Sequence, residues 1–251
     1  MRRWLPYALV ALAFFVLSLV AHVPALLALQ QAPQLRAQAV SGTLWQGQTG
    51  QLTLPLGKHA FAMGALSWRM SPWTALIGRP NVDFELSGDI GALSGQGQLA
   101  WRWGDISGHD LMLNSQISAW QRYWQPYGVT LLGDFTLGVQ HIALNQYDCA
   151  ELKGQLIWTD PQINTPMGQM QPGDLLVTLR CDGPRYRADL NHQSDSFNAE
   201  LHATVSSAGQ YQLAGWIKPQ AKMPKGIRSI LGWIAKGDSQ GRYQLALKGQ
   251  F

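Results

Sequence analysis

Charge is scarce in this chain. Only 14% of its 251 residues are charged, against about a quarter in an ordinary soluble domain, and the net charge is +4. No basic cluster of the kind a nucleic-acid partner requires is present, so nucleic acid is not an expected partner. Cysteine is limited to Cys149 and Cys181. Without a Cys-x-x-Cys pair or flanking histidines, two isolated cysteines complete neither a redox motif nor a zinc site. Long apolar runs are missing apart from one at the N-terminus, which excludes a polytopic membrane protein, and 46% hydrophobic residues without low-complexity tracts excludes wholesale disorder. The 26 Gly and 13 Pro leave little room for long helices.

The one apolar run carries no charge from Trp4 to Leu35, and between Leu5 and Leu29 only Ser18 and His22 are clearly polar. As a helix, residues 5–29 would extend roughly 37 Å, enough to cross a hydrocarbon core of about 30 Å. Arg2 and Arg3 precede it, and the positive-inside bias keeps them in the cytoplasm and sends the C-terminal bulk across. A cleaved signal peptide is the rival reading. The run is longer than such a core, and the best small-x-small site, Ala37-Gln38-Ala39, lies too far beyond it. The expected layout is a cytoplasmic tip at 1–4, a transmembrane helix at 5–29, a linker at 30–39 and a translocated β domain at 40–251.

Period-2 alternation dominates that body. Leu52, Leu54 and Leu56 share a face, as do Leu66, Trp68 and Met70; Val82, Phe84 and Leu86; and Leu99, Trp101 and Trp103. In the run Phe135, Leu137, Val139, Ile142, Leu144 the parity changes, which predicts a β-bulge near His141. Comparable strands recur up to Tyr243, Leu245 and Leu247, at least eleven in all, so the sheet must curl, close or divide into layers. Residues 158–173, with Pro161, Pro166 and Pro172, read as a long loop. Short helices are expected at 72–77, 118–125 and 226–236, the last with Ile227, Ile230, Leu231 and Ile234 on one stripe. A loose repeat, seen in Leu93-Ser-Gly-Gln-Gly97-Gln-Leu99-Ala-Trp101 and Leu152-Lys-Gly154-Gln-Leu156-Ile-Trp158, predicts strands whose glycines relieve crowding while Leu and Trp fill one face. Alternation puts most tryptophans on that buried face.

Catalytic constellations do not emerge. No Gly-x-Ser-x-Gly elbow or phosphate-binding Gly-Lys-Ser/Thr loop occurs, and Gly95-Gln-Gly97-Gln-Leu99-Ala100 runs into a strand instead of the helix a dinucleotide site needs. His109-Asp110 has no nucleophile to serve and reads as a polar pair at a strand end. No catalytic, metal or cofactor-binding residue is assigned, and an enzyme is not expected.

The residues Val40-Ser-Gly42-Thr43-Leu44-Trp45-Gln46-Gly47 follow the apolar run directly. Together with chain length, a β-rich body and two cysteines, the Gly42-Thr43-Leu44-Trp45-x-Gly47 motif resembles the protein N family of the bacterial type II secretion system. That resemblance implies an accessory inner-membrane subunit, single-pass with a periplasmic body, working with other secretion subunits in the export of folded proteins. It also implies kinship with AsmA-like β proteins, and hence a mainly β fold with a curved or partly closed, half-barrel antiparallel sheet. No cofactor comes with it. The motif itself reads as an entry strand, with Leu44 or Trp45 inserted into the first layer of the fold. An alternative reading is a periplasmic lipid-binding protein using the apolar face of a partly open sheet. In the oxidising periplasm Cys149 and Cys181 are expected to form a disulfide, two unpaired buried thiols being the other possibility.

Overall fold

The computed structural model describes residues 5–26, 36–56, 59–88, 93–121 and 128–250. Arg2, Arg3, Trp124 and most of the expected linker lie outside them. The first element is helix α1 (Leu5–Ala21), apolar around its whole circumference. At about 1.5 Å per residue its 17 residues extend about 25 Å, well short of the expected 25-residue span. Among the described residues no helix is long and apolar enough to cross a membrane. The continuous helix stops early because Pro24 lacks an N–H and instead forms a β-bridge with Thr43.

Strands follow one another almost without interruption: β1 (Arg36–Gln38), β2 (Ser41–Gly42), β3 (Gln46–Leu56), β4 (His59–Met70), β5 (Asn81–Ser87), β6 (Ser94–Arg102), β7 (Asp105–Gln116) and β8 (Thr130–Asn145). They continue as β9 (Asp148–Thr165), β10 (Gly168–Met170), β11 (Leu175–Asp182), β12 (Arg185–Gln193), β13 (Phe197–Val205), β14 (Gln210–Pro219), β15 (Lys236–Gly237) and β16 (Tyr243–Gln250). All belong to one 16-stranded sheet ordered β1-β3-β4-β5-β6-β7-β8-β9-β11-β12-β13-β14-β16-β15, with β2 on β3 and β10 on β9. Every pairing is antiparallel, and because turns are short each strand lies beside a near neighbour in sequence. The two ends of the order, β1 and β15, do not pair, so the sheet is open.

Three expectations are corrected. Residues 36–38 are not linker but strand β1, paired to β3. Residues 158–173 are not a long loop, since β9 runs on to Thr165 and β10 folds back on it. Pro161 is tolerated there because the β8–β9 register slips between Leu132 and Asp134, leaving its missing N–H outside the ladder. Trp103 is not in a strand either. It sits with positive φ in the turn before Gly104 and is 93% exposed.

Cross-strand register assembles a single apolar face. Trp68 lies opposite Phe84 and Val82 opposite Leu99; Leu113, Leu137, Leu156, Val177, Leu190 and Leu201 form a row across six successive strands. Glycine shows that the sheet curls toward this face. A Cβ on Gly97 would overlap Leu111 and press on Phe84, whereas one on Gly138, whose position points to the other face, would meet only Gln155 Cγ at 3.9 Å. The parity change predicted near His141 is a register slip between Val139 and His141. It keeps Ile142 and Leu144 on the apolar face.

Among the described residues no second layer covers most of this face, so the majority of its side chains are half-buried. Full burial is restricted to a few, among them Leu52, Leu86, Val139 and Leu175. Helix α2 (Pro72–Leu76) bridges β4 and β5 at one end of the sheet, and a 3₁₀ turn (Ile117–Trp120) leads out of β7. Helix α3 (Lys225–Ile234) closes the opposite end, where Ile227 and Leu231 pack with Met170, Met223, Phe197, Ile217 and Tyr243. Ile230, expected on the same stripe, is instead 39% exposed.

Candidate functional site

The motif forms the joint between helix and sheet. Thr43 N–H donates to the Gln46 carbonyl at 2.8 Å, and the Gln46 N–H returns a bond to Thr43 Oγ1 at 3.3 Å, closing a tight turn into β3. Gly42 enters this turn at φ +93°, a conformation that side chains disfavour, and a Cβ there would overlap the Gln46 carbonyl. Gly47 lies opposite Trp68 with the indole seated where its Cβ would be, and Trp68 Nε1 donates to the Leu44 carbonyl at 3.1 Å.

The last carbonyls of a helix lack intrahelical donors, and the motif supplies them. Trp45 Nε1 donates to the Val20 carbonyl at 2.8 Å in the last turn of α1, and Leu44 N–H donates to the Val23 carbonyl at 2.8 Å two residues past the helix. His22 Nδ1 stands 2.7 Å from the Ser18 carbonyl. On the sheet side, Met70 N–H donates to the Trp45 carbonyl at 2.7 Å, so Trp45 bonds to both elements. Trp45 therefore does not insert into a first layer; its indole reaches back to α1. Trp45→Phe, which keeps the ring and deletes the donor, is expected to cost about 1 kcal/mol locally. Hydrogen exchange should then quicken at residues 20–23 while β7–β9 stay protected. Unchanged exchange at 20–23 would count against the joint.

Cys149 and Cys181 are placed together, with sulfurs 1.98 Å apart and Cα atoms 5.6 Å apart. Cys149 stands near the start of β9 and Cys181 near the end of β11, at the end of the sheet where α1 joins.

The polar face carries ionisable clusters that tie neighbouring strands. His109 and His141 meet with their Nδ1 atoms 3.1 Å apart, and His141 Nε2 is 3.2 Å from Glu151. The pair His109-Asp110 is thus not at a strand end but in the middle of β7, where Asp110 has φ +50° beside a register slip against β6. Asp189 accepts from Arg180 at 2.8 Å and Arg187 at 2.9 Å, and contacts His202 at 2.6 Å. Burial pushes its carboxyl up, but the bonds from His202 and Arg187 outweigh that and hold it below the usual range. Each carboxylate already has partners, so the clusters read as cross-strand ties. Among the described residues no group of three or more His, Cys, Asp or Glu could hold a metal ion.

The tryptophans divide in a way the alternation did not predict. Trp68 and Trp158 are half-buried and donate to backbone carbonyls of Leu44 and Leu132. Trp73, Trp101, Trp103 and Trp233 are 78%, 62%, 93% and 91% exposed, because α2, α3 and a hairpin tip, unlike strand interiors, have no neighbour to shelter them.

Fold and joint together define a single-layer, open antiparallel sheet fastened at one corner to an apolar helix, with its polar side groups engaged in strand-to-strand bonds. The profile of type II secretion system protein N matches residues 33–246, and the chain belongs to that family. It is 27% identical over 256 residues to type II secretion system protein N of Vibrio cholerae serotype O1, covering the whole of both chains. It is 28% identical over 240 residues to that of Aeromonas hydrophila, with 92% of each chain covered. Identity to the Pectobacterium carotovorum protein is 21% over 212 residues, 84% of this chain and 82% of the relative. No solved structure matches.

Proposed function

We propose that the chain is an accessory inner-membrane subunit of a type II secretion machine, with a non-enzymatic, docking role in the export of folded proteins. The family match over residues 33–246 carries this reading. Helix α1 serves as the single-pass anchor, with Arg2 and Arg3 on the cytoplasmic side and the sheet in the periplasm. At 17 residues and about 25 Å the described helix is shorter than a hydrocarbon core of about 30 Å, so on this reading the bilayer thins locally around it. The capping of α1 by Leu44 and Trp45 supports the reading, since it holds the sheet at the helix end that would emerge from the bilayer. The oxidising periplasm suits the adjacent cysteines. Removing the chain from a strain with the complete system is expected to lower the amount of exported enzyme in the medium and to leave it in the periplasm. Undiminished export would contradict the reading.

A second reading is favoured by one observation, the apolar face left half-buried by a sheet without a covering layer. On this reading the trough holds a lipid acyl chain. Native mass spectrometry of the detergent-purified chain would then detect co-purifying phospholipid, reduced many-fold by Leu156→Asp in the central row. A lipid-free chain would end it.

A further inference from the structure

One stretch of surface gathers exposed apolar side chains at the corner where α1 meets the sheet. In α2 and the turn after it, Trp73 is 78% exposed, Leu76 65% and Ile77 72%; in the β6–β7 hairpin, Trp101 is 62% and Trp103 93% exposed. Sequence separates the two groups, yet the fold joins them: Trp101 N–H donates to the Pro80 carbonyl at 3.1 Å, and Trp103 Nε1 lies 3.8 Å from where a Cβ on Gly78 would stand. Arg79 and Arg102 stand exposed among them, and neither is ion-paired among the described residues.

The position of this surface is set by hydrogen bonds already described. The Val20 carbonyl at the end of α1 binds Trp45 Nε1, and the Trp45 carbonyl binds Met70 N–H, two residues before α2 begins. The exposed aromatics therefore stand at the same end of the sheet as the joint with the C-terminal end of α1, the end an inserted helix would present to the membrane surface. Tryptophan rings prefer that depth, with the apolar body inward and the indole N–H toward headgroups, while arginines pair with lipid phosphates. A water-facing hairpin tip gains nothing from two tryptophans.

We infer that α2 and the β6–β7 hairpin form a footing that lies in the headgroup region of the phospholipid bilayer beside α1 and holds the sheet against the membrane. This rests on reading α1 as the anchor. With α1 alone, the sheet would pivot about one joint; a second contact formed by Trp73, Trp101 and Trp103 fixes its orientation.

The test uses the full chain in phosphatidylethanolamine–phosphatidylglycerol vesicles, with an environment-sensitive fluorophore on one introduced cysteine at a time. Phe14→Cys reports the anchor, Trp73→Cys and Trp103→Cys the footing, and Ser229→Cys on α3 the opposite end of the sheet. All four side chains are exposed, so labelling removes no core packing. A nitroxide high on the lipid acyl chain should quench positions 73 and 103 several-fold more than position 229, while one deep in the chain quenches position 14. Quenching at 14 with iodide-accessible probes at 73 and 103 would overturn the footing and leave the anchor standing. Lipid quenching at 73 and 103 without quenching at 14 would keep the footing and refute the anchor. Lack of lipid quenching at all three would refute both.

Discussion

Placing serine at both Cys149 and Cys181 is expected to lower the unfolding free energy of the body by about 3–4 kcal/mol, the loop-closure entropy that a bridge over 32 residues removes from the unfolded chain. The bridge ties the start of β9 to β11, a strand it does not pair with there. The β9–β11 ladder ends at Arg180 and Lys153, so the first residues of β9 have no ladder bonds to β11. On one side they pair with β8, Leu144 opposite Cys149 and Asn145 opposite Asp148; toward β11–β14 they and the preceding turn are held by Cys149 N–H to the Pro184 carbonyl at 3.1 Å, Tyr186 Oη to the Tyr147 carbonyl at 2.7 Å, and Ser207 Oγ to Asp148 at 2.7 Å. Cys149 is only 4% exposed, so a serine there would also bury a hydroxyl group. Urea unfolding of the oxidised parent and the double variant, both in detergent, measures the difference. Equal midpoints, or free thiols in the parent taken from cells, would show that no bridge contributes.

Gly215→Val is expected to cost about 2–4 kcal/mol, in the range of mutations that strain a special backbone conformation. Gly215 has φ +143° in β14, an interior strand paired on both sides, opposite Leu201 of β13 and Leu245 of β16. A Cβ there would overlap the Glu200 carbonyl and come within 2.9 Å of Leu201 Cα, both backbone atoms that cannot rotate away. Gly138→Ala is the control. It meets only Gln155 Cγ at 3.9 Å on the polar face and should change stability by less than about 1 kcal/mol. If both substitutions cost the same, crowding on the curled face would not be the reason for glycine at 215.

How much of this was legible from residue order depends on whether the determining force is local. Side-chain alternation is local, so the strands around Val82, Phe84 and Leu86 and the bulge between Val139 and His141 could be read directly. So could α2, because Pro72 starts a helix without needing an N–H partner. The end of α1 could not. Apolar composition continues to Leu29, and what stops the helix at Ala21 is Pro24 bridging to Thr43, a residue nineteen positions on. Exposure of Trp101 and Trp103 was misread for a related reason. Alternation tells which face a side chain takes but not whether anything covers the hairpin tip. Gly42-Thr43-Leu44-Trp45-x-Gly47 identified the family, yet its physical task, capping α1 through the Trp45 indole, needed the fold.

Docking on other secretion subunits is the central claim. Photoreactive residues placed one at a time on the polar face of the sheet at Leu176, which is 49% exposed there, and on β16 at Lys248, beyond the two residues that β15 covers, would test it most directly in cells with the complete machine. The account predicts an adduct with another secretion subunit from at least one of these positions, lost when the machine is left incomplete. Adducts with phospholipid alone, or none at either position while export continues, would contradict it.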